Sequence, residues 1–88
     1  MRKYAITLFK VTTAGRTYYL ALERHTDGDS WSNPTPIDNF SEFEKIPEVI
    51  SNFKESISGD LENVFFTEVS FENEADEDDY FEMCGLIP

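Results

Sequence analysis

The sequence predicts a small α+β domain: a two-layer ββαβ(β) arrangement with one helix packed across an antiparallel sheet. Three observations carry this. Residues 4–24 hold two alternating segments rich in β-formers around a glycine-containing turn. Phe40, Phe43, Ile46, Ile50, Phe53 and Ile57 recur every three or four residues, which places them on one helical face. Residues 64–72 alternate again. With 88 residues, 40% of them apolar and 15% aromatic, the chain has enough for one core and too little for two. Residues 1–88 are therefore read as a single domain.

Taken in order, Tyr4, Ile6 and Leu8 share one face of the first strand, and Ala5, Thr7, Phe9 and Val11 share the other. Tyr18, Leu20 and Leu22 stay in phase along the second. Gly15 lies between them, free to take positive φ, so the pair reads as an antiparallel hairpin. Residues 25–39 are dense in turn formers and have no period, so a long loop is expected there, with Trp31 in its middle. Trp31 is either a lid folded back on the core or an exposed anchor for a partner. Next, Ser41 and Glu44 have the spacing of a capping box. Pro47 predicts a short turn over residues 41–45, a break near Ile46 and a regular helix from Pro47 to Ser58. In the third strand Phe65, Thr67, Val69 and Phe71 form the packing face, and Phe66, Glu68, Ser70 and Glu72 form the wet one. Like charge then predicts an acidic loop over about residues 73–79. Residues 80–86 are expected to be a short fourth strand or a docked tail.

Charge is distributed unevenly. Residues 1–24 carry five bases against Glu23, a net +4. Residues 25–59 carry seven acids and two lysines, a net −5, and residues 60–88 carry ten acids and no base, which brings the chain to −11. A polyanion gains from lysine and arginine contacts, so direct binding to nucleic acid or to an anionic membrane is not expected. A basic protein is the expected partner. Met1-Arg2-Lys3 leads into an alternating segment without an apolar signal core, Cys84 is the only cysteine, and no apolar run approaches the ~20 residues of a membrane span. A cytoplasmic protein is expected.

Catalytic chemistry finds little support. His25 is the only histidine, no Gly-x-Ser-x-Gly surrounds a serine, and the four glycines are scattered singly, so neither a nucleophile elbow nor a phosphate cradle is encoded. Residues 27–30 and 76–79 offer oxygen ligands, but neither fits an EF-hand loop. The chain reads as a non-enzyme without metal or cofactor.

Binding is what the residues favour. From Glu68 to Glu82 there are eight carboxylates and no base, with aromatics on either side. The candidate partner-binding residues are Glu68, Glu72, Glu74, Asp76, Glu77, Asp78, Asp79, Tyr80 and Phe81, with Trp31 as a further anchor. Same-face strand residues repeat every ~6.7 Å, so Glu68, Glu72 and Glu74 would echo every second or fourth phosphate of a nucleic-acid strand. Phe9, Tyr19 and Phe66 are expected on the sheet face away from the helix, where they would add apolar contact area.

In size and charge, though in no motif, the chain resembles the small acidic proteins, many encoded by phages, that inhibit nucleic-acid-binding enzymes by occupying their basic grooves: anti-CRISPR proteins, anti-restriction proteins and glycosylase inhibitors. The resemblance implies an inhibitor or modulator acting by nucleic-acid mimicry. The alternative is an antitoxin or assembly subunit that uses the sheet edge and the Trp31 loop, with the acid serving solubility.

Overall fold

The structure is a computed structural model that describes residues 2–85. β1 (Lys3–Thr13) and β2 (Arg16–Thr26) pair antiparallel along their full lengths, from Lys3 opposite Thr26 to Thr13 opposite Arg16. Ala14 and Gly15 alone connect them, with φ of 48° and 80°. Positive φ at both central residues is the backbone requirement of a type I′ turn, which matches the right-handed twist of the two strands. Gly15 meets it without strain; Ala14 does not.

The chain next forms a strand where a loop is predicted. β3 (Thr35–Phe40) pairs antiparallel with β2 and is an outer strand, in the order β3-β2-β1-β4. Two features hide it in the sequence. Pro36 is tolerated because an edge strand leaves one side of its backbone unpaired. A register shift opposite Ala21 and Leu22 then breaks the alternation, so Ile37 and Phe40, three positions apart, both pack on the same cluster. The remaining loop, residues 27–34, is closed by the Ser32 amide, which donates to the His25 carbonyl at 2.8 Å.

A 3-10 turn at Phe43–Lys45 leads into α1 (Ile46–Ser56), with Pro47 in its first turn as expected. The predicted capping box does not form: Glu42 and Lys45 occupy the two cap positions, and neither offers a side-chain cap. Val49 and Phe53 are the buried residues of α1, with Ile46, Ile50 and Ile57 partly buried beside them. Phe43, read with this stripe, is instead 58% exposed, because the 3-10 turn rotates it off the helical face.

α1 carries the chain across the sheet to β4 (Asp60–Phe71), which pairs in parallel with β1 from Lys3 opposite Asp60 to Thr13 opposite Phe71. The sheet is therefore mixed and not purely antiparallel, since a helical crossover carries the chain back to the end at which the preceding strand began. Entry into β4 is tight. A side chain on Gly59 would fall on the Arg2 carbonyl oxygen, which accepts the Asp60 amide at 3.0 Å.

Residues predicted as an acidic loop and a fourth strand form a second helix, α2 (Glu74–Met83); Leu86 lies outside the described residues. It adds a third layer. Tyr4, Ile6, Leu8, Tyr19, Ala21 and Phe40 pack under α1, while Phe9, Val11 and Leu22 pack under Phe81 of α2. β1 thus buries both of its faces, with Ile6 and Val11 wholly inaccessible.

Two outcomes are expected for stability. Phe53→Ala should cost about 3–5 kcal/mol in denaturant unfolding, as for an emptied aromatic core site, whereas Phe43→Ala should cost well under 1 kcal/mol. Ala14→Asn, which suits the left-handed conformation, should raise stability by roughly 0.5–1 kcal/mol in the same assay.

Candidate functional site

The acid block starts a helix because its first charges stand where a helix accepts them. Asn73 is extended (φ −151°, ψ 168°), and its side chain accepts the Asp76 amide at 3.0 Å, which caps the first turn. Glu74, Asp76 and Glu77 occupy that turn, where the helix dipole favours negative charge. Asparagine followed by acids was a readable helix-start signal. Like charge argues against a strand interior, and it does not argue against this position.

Docking turns two of the candidate residues inward. Phe81 is buried, its ring meeting Phe9 edge-on at 6.1 Å and Phe71 at 6.2 Å. Glu77, one turn earlier on the same side, is buried with it and accepts a hydrogen bond from the Tyr18 hydroxyl. Burial, and then this bond to a carboxylate, push the Tyr18 phenol well above its ordinary range, because both disfavour the phenolate. Arg16 lies 5.3 Å over the Tyr18 ring and partly offsets the effect. Tyr80 is half-buried, 5.4 Å from the Phe71 ring. Glu77 and Phe81 therefore hold α2 on the sheet and are not free surface for a partner.

The other acids face water. Glu72, Glu74, Asp76, Asp78, Asp79 and Glu82 are exposed, and among the described residues none has a base within ion-pair distance. Glu74, Asp78 and Glu82 recur every four residues, which gives a row of carboxylates at ~6 Å steps. The strand ladder expected of Glu68, Glu72 and Glu74 is not formed, because β4 ends at Phe71. Glu68 instead sits on the α1 side of β4, 3.9 Å from Lys10.

The bases of the N-terminal third are similarly engaged. Arg2 makes a bidentate contact with Asp27, with bonds of 3.0 to 3.2 Å, and holds that exposed carboxyl below its usual range. Lys3 lies 3.7 Å from Glu62. The charge asymmetry of the sequence is thus partly neutralised at β1 and left unpaired on α2.

The aromatic surface also differs from expectation. Tyr19 and Phe66 lie on the α1 side, not opposite it. Tyr19 stacks on Phe40 at 5.5 Å, and Phe43 meets both Tyr19 and Phe66 edge-on. Phe9 is on the other side but covered by Phe81. Trp31 is 39% exposed and shares a shallow cleft with Ala5, Thr7, Arg24 and Phe65, so it half-covers the sheet area that α2 leaves open. Exposed apolar side chains gather instead on β4, at Val64, Phe65 and Phe66.

Beside α1 a cleft of about 630 Å³ is lined by Glu23, His25, Asp38, Asn52 and Phe53 among others. Glu23 Oε1 is 2.9 Å from His25 Nδ1, and Ser32 Oγ is 3.4 Å from the same nitrogen. A serine relay needs acid and hydroxyl on opposite ring nitrogens, so this grouping orients the histidine without activating Ser32. Cys84 follows α2, on the other side of the sheet. Among the described residues no three His, Cys, Asp or Glu side chains converge to hold a metal ion, and no helix is long and apolar enough to cross a membrane. Comparison with protein-family models, curated proteins and solved structures finds no match to this chain.

Burial of Tyr18 against Glu77 sets a pH dependence. A phenol whose folded pKa is raised contributes stability that is complete below the unfolded value of about 10 and is lost as pH rises beyond it. Alkaline unfolding monitored between pH 9 and 12 should be steeper in the wild type than in Tyr18→Phe, and absorbance at 295 nm should show one fewer late-titrating tyrosine in the variant.

Proposed function

We propose that the chain is a protein-binding inhibitor or modulator that sets the outer carboxylates of α2 on a basic, nucleic-acid-binding surface of a partner protein. The observation that carries this reading is the row Glu74, Asp78 and Glu82 with Asp79 beside it, held on a capped and docked helix with no base alongside. Solubility alone does not require rigid display. A polyanionic row on a fixed element presents charge at regular intervals, as a phosphate backbone does, and it steers association with a basic groove. The alternative reading, an antitoxin or assembly subunit, draws on a different observation, the exposed apolar run on the outer strand β4.

The test is charge reversal that spares the helix. Glu74 and Asp76 support the first turn and Glu77 the docking, so the fourfold variant Glu72→Lys, Asp78→Lys, Asp79→Lys and Glu82→Lys is the one to compare with wild type. Immobilised wild type should retain basic nucleic-acid-binding proteins from a cell lysate. Duplex DNA or RNA should release them, and so should salt as the Debye length falls from about 10 Å at 0.1 M to about 3 Å at 1 M. The variant should keep its circular dichroism spectrum and retain none of them. Equal retention by the variant, with no release by nucleic acid, would overturn the reading.

A further inference from the structure

We propose that β4 pairs antiparallel with β4 of a second copy of this chain, centred on Phe65, so that two four-stranded sheets join into one of eight strands. β4 is twelve residues long and outermost in the sheet, and among the described residues β1 is its only ladder partner, which leaves one side of its backbone to pair. Edge strands are normally blunted by charge, proline or a covering element. Here Val64, Phe65 and Phe66 are 46%, 51% and 47% exposed, and residues 63–67 include neither a charge nor a proline.

The occupant follows from symmetry and local charge. A two-fold axis perpendicular to the sheet keeps each face continuous, so residues opposite one another must come from the same face. Centring on Phe65 sets Phe65 opposite itself, Val64 opposite Phe66 and Asn63 opposite Thr67. Moving the centre to Val64 brings Phe66 opposite Glu62, and moving it to Phe66 brings Val64 opposite Glu68. Only the Phe65 centre keeps all three apolar residues against apolar residues. The same register sets Glu62 opposite Glu68 at either end of the seam, and Lys3, 3.7 Å from Glu62, and Lys10, 3.9 Å from Glu68, offset part of that repulsion. In a chain of net charge −11 this window is locally neutral. Phe43 against Phe66 on one face, and Trp31 beside Phe65 on the other, widen the apolar seam beyond the strand.

Self-association has the opposite salt dependence to docking on a basic partner, because salt screens the long-range repulsion between two acidic copies. Failure of one proposal is therefore distinguishable from failure of the other. Sedimentation equilibrium of the full chain under reducing conditions should show a concentration-dependent dimer, tighter at 0.5 M than at 0.1 M salt. Phe65→Lys, at a half-exposed site, should keep the fold and weaken dimerisation at least tenfold. Register is read independently in a Cys84→Ser background. Phe65→Cys should cross-link readily, since directly opposed antiparallel residues lie about 4.5–5.5 Å apart, within disulfide range, whereas Ser70→Cys should not. A chain that stays monomeric at both salts, leaving this edge to a strand of another protein, overturns the proposal. So does a dimer indifferent to Phe65→Lys, or equal cross-linking of the two cysteine variants.

Discussion

The arrangement depends on one constraint: β1 is apolar on both sides. Ile6 and Leu8 point one way, Phe9 and Val11 the other, and all four are buried. A strand of this kind cannot rest in a two-layer domain, where one sheet face meets water. Each face needs its own cover. α1 supplies one with Val49 and Phe53, and the other is covered by Phe81 of α2, with Trp31 of the 27–34 loop over part of the remainder. The most acidic segment of the chain is therefore recruited as a packing element, and its few apolar residues decide how it sits.

That recruitment explains the division of labour along α2. Phe81, Tyr80 and Glu77 fall on the side that meets the sheet, and Glu77 tolerates burial because Tyr18 donates to it. Every other carboxylate from Glu74 to Glu82 is left facing water, where repulsion among them is offset by the Asn73 cap, by the helix dipole in the first turn and by the aromatic cluster beneath. The acids are held in place by interactions that are not themselves acidic. Exposed charge and docking contacts are thereby separable in this segment, residue by residue.

Much of the fold is legible in the sequence, and the failures have identifiable causes. The β1–β2 hairpin, the opposed faces of β1 and the helix opened by Pro47 follow directly from periodicity and turn chemistry. β3 is hidden by Pro36 and by a bulge, both of which an edge strand accommodates. α2 is hidden because its apolar residues are Ala75 at one end and Tyr80, Phe81 and Met83 crowded at the other, so no amphipathic stripe signals it and the cap is the cue. Phe43 leaves the stripe for a geometric reason: the 3-10 turn changes the angular step between residues, which a single helical period does not capture, while Val49, four residues before Phe53, lies on the buried face of α1. Of the candidate site, the acidic character of the surface is readable and its geometry is not. A strand period and a helix period send the same carboxylates in different directions.

The parallel pairing of β1 with β4 also has a consequence for how the chain acquires its shape. The hairpin joins near neighbours, but Lys3 must wait for Asp60 and Thr13 for Phe71. Contacts of such high sequence separation pay their loop-closure entropy before they are rewarded, and this slows folding. Of the four strands β1 is synthesised first and completed last: its second edge and its Phe9–Val11 face stay open until β4 and α2 have emerged.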